Sequence, residues 1–431
     1  ADLPPLEEPP QPQRDRQRGG RDNRGGRGGD RGERGGGGRG GRGGGRGQQQ
    51  QQHHLRFTAE AGESVCILHD QTENTVNVNC NSSFPAVAQA INNPEIIQNL
   101  GNGEYLLNAT LEVADGVTFE MNSSDAGGAD NLQYLKIADE NGIIVYGKIL
   151  IDGVKITSWN ISSNNTIPQD MNGNINRGYI QFAASEGSQI INSEFGYLGD
   201  VEPGRRGFDL FGEGASRFGY GPSHDMEIRD SKFHHMWRAF YSTGAYSITI
   251  DGNEFHHNLN YAVDPHSGTH DMNITNNWVH HNPIGIICSV NCSNILIEGN
   301  KVENNIRAGI FFSRNMSDSV ARNNQIYNET SGIIVSESSN NQIYDNTIEA
   351  VTSEGILLFN PSEPDDGLTE NNLAYNNTIL GSANGINATR SYGNILENIL
   401  FSNITSSEYI FVSSVEPDRK GDNHAVRKAN L

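Results

Sequence analysis

Five stretches of one form decide the fold of this chain. They are Asn253-Glu-Phe-His-His257, Asn277-Trp-Val-His-His281, Asn300-Lys-Val-Glu-Asn304, Asn324-Gln-Ile-Tyr-Asn328 and Asn346-Thr-Ile-Glu-Ala350. Successive stretches begin 24, 23, 24 and 22 residues apart. The last four are each followed by a small residue with an apolar pair, such as Gly285-Ile286-Ile287, and then by a second apolar segment, such as Ile295-Leu296-Ile297. Short strands repeated in a unit of this length are typical of the coils of a parallel β-helix.

The repeat predicts an all-β solenoid over residues 150–412. Its segments are too short, and too rich in Asn and β-branched residues, for a helical repeat. Asn at the same place in every unit is expected to form a hydrogen-bonded ladder that satisfies backbone groups at the turns. Residues 361–370 break the period and are expected to form a loop over one face.

Outside the repeat the sequence changes character. Residues 1–54 combine a Pro-rich start, an Arg-Gly-Gly tract and a Gln run. This composition cannot bury enough apolar surface to fold, so we expect disorder there. Residues 55–149 are expected to form an N-terminal cap and the first coils, and residues 413–431 a polar tail. Within the cap, residues 83–100 carry apolar side chains at helical spacing as far as Ile97, which predicts a short capping helix.

The formal charge of −21 is unevenly distributed. Residues 1–54 carry eleven Arg against seven acidic residues, whereas the rest of the chain carries twenty basic and forty-five acidic residues. An acidic body argues against nucleic acid as a ligand, and any polyanionic substrate would need a locally cationic groove. The basic tail suits a tether to an acidic glycan or cell surface, a contact with single-stranded nucleic acid, or a solvated linker.

Several features favour an exported protein. No stretch reaches the roughly 18–20 apolar residues of a membrane span, and the chain begins at Ala1, as a processed secreted protein would. Twelve Asn-x-Ser/Thr sequons would give a glycosylated surface, although a repeat rich in these residues also creates sequons by chance. Cys66 and Cys80 are expected to form a disulfide. The state of Cys288 and Cys292 stays open, because Cys288 occupies an apolar position of the repeat.

Eight of the thirteen His residues lie between positions 234 and 281. Three adjacent pairs occupy the same place in consecutive units, namely His234-His235, His256-His257 and His280-His281. Equivalent positions of stacked strands lie about 4.8 Å apart, so these pairs are expected to form a column on one face. The column either binds substrate, through His235, His257 and His281 in particular, or merely replaces Asn in a polar turn.

The segment Tyr261-Ala-Val-Asp-Pro-His266 departs from the repeat. Other units have an aromatic or aliphatic residue at the place of Asp264, and a small polar residue at the place of His266. Replacing these residues with Asp, Pro and His breaks the local consistency of the repeat. Such exceptions commonly mark functional sites, so this segment is the strongest candidate for chemistry.

This segment resembles the Tyr-x-x-Asp-Pro-His signature of mannuronan C5-epimerases, alginate-modifying enzymes built on a right-handed parallel β-helix. The similarity extends from about Ser193-Glu-Phe-Gly-Tyr-Leu-Gly199, through Phe240-Tyr-Ser242, to about Asn346. The resemblance implies the right-handed fold and removal of the C5 proton of a uronate, with a proton returned to the opposite face. It also implies that His266 is the base, that Tyr261 is the acid and that Asp264 orients or polarises them.

The substrate carboxylate requires a nearby cation. Acid–base catalysis contributes only about 10²–10⁴-fold, so charge neutralisation must supply much of the remaining rate enhancement. One bacterial branch of the family carries Arg one unit after the motif, where this chain has Val290. Arg238, Arg314 or a protonated His257 could supply the charge instead, and Tyr241 is predicted to contact substrate. The departure at Val290 leaves the identity of the substrate open.

Three functions fit these residues. The first is a secreted C5-epimerase acting on a polyuronate such as mannuronan, and the second is a polysaccharide lyase that uses the same base. The third is a non-catalytic glycan-binding glycoprotein at the cell surface. No cofactor is implied, because the sequence has neither a zinc-ligand spacing nor the nonapeptides of calcium-binding repeats. The acidic surface leaves calcium open without fixing a site.

Overall fold

The computed structural model describes residues 66–123, 131–212 and 221–412. This part of the chain consists of short strands in three long sheets, with one short helix. Strands of successive coils pair in parallel and in register, so the predicted parallel β-helix is confirmed. The predictions for the Arg-Gly-rich tail (1–54) and the polar tail (413–431) lie outside the described residues.

The three sheets are named A, B and C here. Sheet A contains Ile67–Asp70, Thr75–Val78, Thr110–Val113, Gly142–Val145, Tyr179–Phe182, Gly207–Leu210, Arg238–Thr243, Tyr261–His266, Ile284–Ser289, Ala308–Ser313, Ser331–Ser336, Glu354–Phe359, Asn384–Thr389 and Ser407–Val412. Sheet B contains Ser82–Ser83, Thr118–Asn122, Lys148–Asp152, Gln189–Ile191, His224–Arg229, Tyr246–Asp251, His270–Thr275, Ser293–Glu298, Val320–Arg322, Gln342–Tyr344, Leu373–Tyr375 and Ile395–Glu397. Sheet C contains Ile97–Gly101, Glu104–Leu107, Tyr134–Ala138, Lys155–Trp159, Glu194–Gly196, Lys232–His234, Glu254–His256, Trp278–His280, Lys301–Glu303, Gln325–Tyr327, Thr347–Glu349, Thr378–Leu380 and Leu400–Ser402.

Each coil buries apolar side chains along the axis of the solenoid. In sheet A, Ile286, Ile310 and Ile333 pair in register and are fully buried. Burial of such a side chain stabilises the fold by about 1.5–3 kcal/mol relative to leaving it exposed. The small residue before each apolar pair is also explained, because a Cβ at Gly332 would lie 2.6 Å from the carbonyl oxygen of Gly355. The repeat therefore encodes both the core and the close approach of neighbouring coils.

The repeated Asn forms the expected ladder inside the solenoid. We use the name asparagine ladder for Asn253, Asn277, Asn300, Asn324, Asn346 and Asn377, all of which are buried. Asn300 Oδ1 accepts from the backbone N–H and from Nδ2 of Asn277, both at 3.0 Å. Asn300 Nδ2 donates to the carbonyl of Ile274 at 2.9 Å and to Asn324 Oδ1 at 3.0 Å. The ladder thus satisfies buried backbone groups that would otherwise lack partners.

Helix α1 (Phe84–Ile91) packs on the first coil. Ser83 caps its first turn, and Asn92, in the left-handed conformation, ends it. Phe84 is fully buried in the apolar core. The predicted capping helix is confirmed, but it is shorter than the apolar spacing suggests. Ile97 lies in a strand of sheet C, because Asn92 stops the helix before it.

The period-breaking segment forms a loop, as expected. Residues 361–370 lengthen the corner between sheets A and B, and the Asp365 N–H donates to the carboxylate of Glu337 at 2.9 Å. The asparagine ladder continues across this insertion. Asn346 Nδ2 donates to Asn377 Oδ1 at 3.0 Å, although the two residues are 31 positions apart. The extra residues are therefore confined to one corner of the coil.

The four cysteines differ in state. Cys66 and Cys80 form the expected disulfide, with their Cα atoms 5.3 Å apart. Cys288 and Cys292 are both free and both buried. Cys288 is part of the apolar core, so it serves the apolar role that its place in the repeat indicates.

Candidate active site

The strand Tyr261–His266 lies in sheet A between Arg238–Thr243 and Ile284–Ser289. Val263 belongs to the apolar core, whereas Tyr261 belongs to a separate apolar cluster shared with later coils. The strand register places Asp264 beside Tyr241 of the preceding coil. The exceptional segment of the repeat therefore occupies a regular strand position in the middle of the solenoid.

Asp264 is a buried carboxylate with one cationic partner. Its Oδ2 accepts from Nη1 of Arg238 at 3.2 Å, and its side chain is only 1% exposed. Its Oδ1 has no hydrogen-bond partner within the described part of the chain. Burial raises the pKa of Asp264 to about 7, although Arg238 and Arg206 act in the opposite direction. Asp264 can therefore carry a proton near neutral pH and donate it in a hydrogen bond.

His266 is part-exposed and lies among cations. Its Nε2 is 3.4 Å from Nη2 of Arg314, and its Nδ1 is 2.6 Å from the hydroxyl of Ser267. Burial and the positive charges of Arg238 and Arg314 lower the pKa of His266 to about 3. The imidazole is therefore neutral at pH 7, which is the protonation state that a general base requires.

Two tyrosines flank these groups. The guanidinium carbon of Arg238 lies 5.0 Å from the ring centroid of Tyr261 and 5.1 Å from that of Tyr241. The Tyr241 ring is 5.2 Å from the imidazole of His266. Burial, the largest cause, and the charge of Asp264 raise the pKa of each phenol to about 12. Both phenols therefore hold their protons at neutral pH.

Arg314 differs from Arg238 in its partners. No carboxylate of the described residues lies within 4.0 Å of Arg314, whereas Arg238 is engaged with Asp264 and donates from Nε to Asn260 at 2.8 Å. An arginine that is not paired with an acid can bind an anionic ligand in a bidentate manner. Of the two predicted cations, Arg314 is the better placed to receive a carboxylate.

Two residues of this region were not identified from the sequence. Asp209 is fully buried and pairs in register with Tyr241, so it occupies the place of Asp264 two coils earlier. Arg206 contacts the Asp209 carboxylate at 3.2 Å, and its guanidinium carbon lies 4.0 Å from the Tyr241 ring centroid. Extending the register backwards from Asp264 would have found Asp209. Irregular coil lengths before position 224 hid that register.

The three His pairs form the expected column, but the column lies at a different corner of the coil from His266. They lie at the corner between sheets C and A, whereas His266 ends a strand of sheet A at the corner with sheet B. A strand of six residues, roughly 17–20 Å long, separates the two corners. Burial, the main cause, lowers the pKa of His256 to about 4 and also lowers the pKa values of His235 and His257. The substrate-binding role of His235, His257 and His281 stays a prediction.

One further group has the composition of a cation site. Ligand atoms of Glu186, His224 and Asp225 lie within 4.8 Å of one another at the corner between sheets A and B. Glu186 and Asp225 are exposed, and His224 Nδ1 is already hydrogen-bonded to Asp225 at 2.5 Å. Exposed acidic groups commonly lie together without an ion, so we assign no metal to this group.

Comparison with known proteins places this architecture in a family. A family model described as "Right handed beta helix region" matches residues 141–317, 214–365 and 268–416. The mannuronan C5-epimerase of Pseudomonas syringae pv. tomato is 25% identical over 266 residues, which are 59% of this chain and 47% of that protein. The mannuronan C5-epimerase AlgG of Azotobacter vinelandii is 26% identical over 273 residues, which are 60% and 49% of the two chains. The chain therefore spans about half the length of these curated relatives.

A solved structure extends the comparison to the fold. The crystal structure of the periplasmic alginate epimerase AlgG superposes with a TM-score of 0.64 at 19% sequence identity, covering 79% of this chain and 85% of that one. At this identity the likeness concerns the fold alone. Together with the family match and the curated relatives, it confirms the resemblance that the Tyr-x-x-Asp-Pro-His segment indicates. The chain belongs to the right-handed β-helix family, and within it resembles the mannuronan C5-epimerases.

Proposed function

We propose that this protein is a polyuronate C5-epimerase whose reaction takes place over Asp264 on sheet A. One observation carries the proposal: a neutral His266 is held 3.4 Å from Arg314, on the same strand as Asp264 and Tyr261. A base, a cation for the carboxylate and a proton donor are the three groups that epimerisation next to a carboxylate needs.

His266 is the proposed base. Its imidazole is neutral in the free protein because burial and two arginines disfavour the charged form. A substrate carboxylate bound at Arg314 would offset part of this positive field and so raise the basicity of the imidazole. The base would therefore become stronger when substrate binds, close to the C5 proton that it must remove.

Arg314 and Asp264 are proposed to stabilise the negative charge that develops on the substrate. Arg314 has no acidic partner among the described residues and can pair with the carboxylate. The Asp264 carboxyl, with a pKa of about 7 and a buried Oδ1 that lacks a partner among those residues, can donate a hydrogen bond when protonated. Donors aimed at developing charge in a buried site contribute more than the same donors in water.

Tyr261 is the proposed acid, which returns a proton to the opposite face of the sugar. Its phenol is protonated at neutral pH and lies next to Arg238, whose positive charge would stabilise a transient phenolate. Tyr241 is the alternative, because its ring is 5.2 Å from His266. Arg238 lies close to both rings, so either phenol could transfer its proton beside the same cation.

Mannuronan is the proposed substrate because the curated relatives are named for it. The matched solved structure is of a periplasmic enzyme, and we propose an extracytoplasmic location for this protein as well. No helix of the described segments is long and apolar enough to cross a membrane. Glycosylation at the sequons and a tether through the Arg-Gly-rich tail remain proposals from the sequence.

The test is incubation of the full chain with polymannuronate in deuterated water, followed by NMR. An epimerase places deuterium at C5 without shortening the polymer. His266→Ala should lower the rate of labelling by about 10²–10⁴-fold, the usual contribution of a general base, while the melting temperature stays unchanged. His270→Ala is the matched control, because His270 lies on the next strand and is hydrogen-bonded to Asp271.

Three results would decide against the proposal or part of it. Ultraviolet absorbance from unsaturated chain ends would identify a lyase, which shares the first proton abstraction. A wild-type protein that binds polymannuronate without any label at C5 would indicate the non-catalytic glycan-binding protein. Full labelling by His266→Ala would also contradict the assignment of the base.

A further inference from the structure

Three consecutive coils hold the same arrangement of two imidazoles. The Nδ1 atoms of His234 and His235 are 2.9 Å apart, those of His256 and His257 are 2.8 Å apart, and those of His280 and His281 are 2.7 Å apart. The two rings of each pair are close to perpendicular, at 87°, 88° and 84°. Each pair is therefore joined by a hydrogen bond between its two Nδ1 atoms, which holds these nitrogens close together.

The backbone builds this arrangement in the same way each time. His235, His257 and His281 adopt positive φ values of 53°, 52° and 55° at the corner. Their rings stack over one another, with centroids 5.8 Å and 4.9 Å apart. The first residues of the pairs stack likewise, with both intervals at 5.2 Å. The cluster is thus a double column of six imidazoles whose faces stack between successive coils and whose Nδ1 atoms meet in pairs.

The spacing of the nitrogen atoms matches a chelate. Two imidazole nitrogens about 2.0–2.1 Å from one ion are about 2.9 Å apart if they subtend a right angle at it. A tetrahedral angle would require a separation of about 3.3–3.4 Å. Right-angled nitrogen ligands are characteristic of square-planar or tetragonal Cu²⁺ and Ni²⁺, and Cu²⁺ is the ion of that series with the highest affinity.

Carboxylates accept hydrogen bonds from the Nε2 atoms of two of the three pairs. Nε2 of His234 donates to Glu194 at 2.8 Å, and Nε2 of His280 donates to Glu254 at 2.8 Å. A carboxylate can only accept, so Nε2 carries the proton and Nδ1 of each ring presents its lone pair to the partner. Metal-binding histidines commonly donate their second nitrogen to a carboxylate in this way, which fixes the ring and its tautomer.

We propose that the double column of His234, His235, His256, His257, His280 and His281 is a Cu²⁺-binding site, with each adjacent pair acting as a two-nitrogen chelate. Water would complete the coordination, since His257 and His281 are exposed. On binding, the second imidazole of a pair moves its proton from Nδ1 to Nε2, so no proton is lost overall. The site lies at another corner than Asp264, and the proposal does not depend on the epimerase reaction.

The test uses Cu²⁺ with the full chain. The triple variant His235→Asn/His257→Asn/His281→Asn removes one nitrogen from every pair and keeps a residue suited to positive φ. Asn304 occupies the corresponding corner of the next unit at a φ of 56°. Titration calorimetry should show at least tenfold weaker Cu²⁺ binding for the triple variant. Electron paramagnetic resonance should lose the nitrogen hyperfine structure that the wild type shows.

Trp278 provides an independent readout. Its ring centroid lies 4.1 Å from that of His280, so bound Cu²⁺ should quench its fluorescence. The quenching should disappear in Trp278→Phe. It should be weaker in the single variant His281→Asn, with one Cu²⁺ fewer bound per chain, which tests the proposal even if the triple variant does not fold.

His53→Asn/His54→Asn is the matched control, because it removes an adjacent His pair outside the repeat. This control should keep wild-type affinity, nitrogen hyperfine structure and quenching. The proposal is overturned if the triple variant binds Cu²⁺ with unchanged affinity and stoichiometry. It is equally overturned if the wild type gives no nitrogen-coordinated Cu²⁺ signal.

Discussion

The asparagine ladder and the group around Asp264 are both buried and polar, but they differ in completeness. In the ladder, Asn300 makes hydrogen bonds through both its side-chain oxygen and its side-chain nitrogen. On sheet A, by contrast, Oδ1 of Asp264 and Oδ1 of Asp209 are buried without a partner in the described structure. A buried polar group without a partner costs stability, whereas a satisfied one does not. Polar groups of the ladder thus stabilise the coil, whereas these two carboxyl oxygens on sheet A stay unsatisfied within the described residues.

The largest expected effect comes from removing the cation next to Asp264. Arg238→Met should lower the free energy of unfolding by about 3–5 kcal/mol at pH 8, because it leaves a buried charge unpaired. The loss should be smaller at pH 5, where Asp264 takes up a proton. Urea denaturation at both pH values measures the difference. Arg238→Met/Asp264→Asn should recover most of the stability but not the activity, and an equal loss at both pH values would contradict the ion-pair explanation.

Breaking the ladder should have the next largest effect. Asn300→Ala removes the acceptor of the Asn277 N–H and the donor to the carbonyl of Ile274. At about 1–3 kcal/mol for a buried group left unsatisfied, the free energy of unfolding should fall by about 2–3 kcal/mol. Denaturant titration measures the change. Gln325→Ala is the control, because Gln325 is an exposed amide on sheet C, and a similar loss there would refute the role of burial.

Substituting each of the two tyrosines tests which of them is the acid. Tyr261→Phe should slow C5 labelling by about 10²-fold, within the usual range for a general acid, while Tyr241→Phe should slow it by less than about tenfold. Both substitutions keep the ring against Arg238 and remove only the hydroxyl. Initial rates of deuterium incorporation measure the ratio. The reverse order would transfer the role of acid to Tyr241.

The last expected effect concerns the pH dependence of stability. The pKa of Asp264 is raised to about 7 in the folded state, against about 3.9 in an unfolded chain. Its contribution to stability is therefore complete below about pH 4 and is lost as the pH rises through 7. Asp264→Asn does not titrate, so its melting temperature relative to wild type should rise between pH 4 and pH 8. Each kcal/mol corresponds to about 2–4 °C, and the exposed Asp318→Asn variant should show no such trend.

Most of the fold could be predicted because the same sequence pattern recurs in each unit of the repeat. The spacing of Asn253, Asn277 and Asn300 predicts both the length of each coil and the stacking of the ladder, and the later units repeat it. The end of helix α1 could not be placed, since the apolar spacing continues past Asn92. The left-handed conformation of Asn92 ends the helix, and a positive φ at Asn is a local choice that apolar spacing does not reveal.

Less of the candidate site than of the fold could be predicted from the sequence. His266, Asp264 and Tyr261 stand out because their segment interrupts a regular pattern, and their catalytic roles stay predictions. Arg206 and Asp209 do not stand out, because their coil follows long irregular connections that obscure the register. The corner at which the His column lies was also not predicted. Residues in register must stack, but their spacing does not say at which corner of the coil they do so.

The loop at residues 361–370 shows where this architecture tolerates added length. Coil length rises from 22 residues to 31 there, yet the hydrogen bond between Asn346 and Asn377 keeps its 3.0 Å separation. The added length at this corner therefore leaves the register of the ladder in the neighbouring coils unchanged. A peptide grafted into this corner should be displayed beside sheet A without altering the stacking, so the specificity of the surface can diversify while its frame stays fixed.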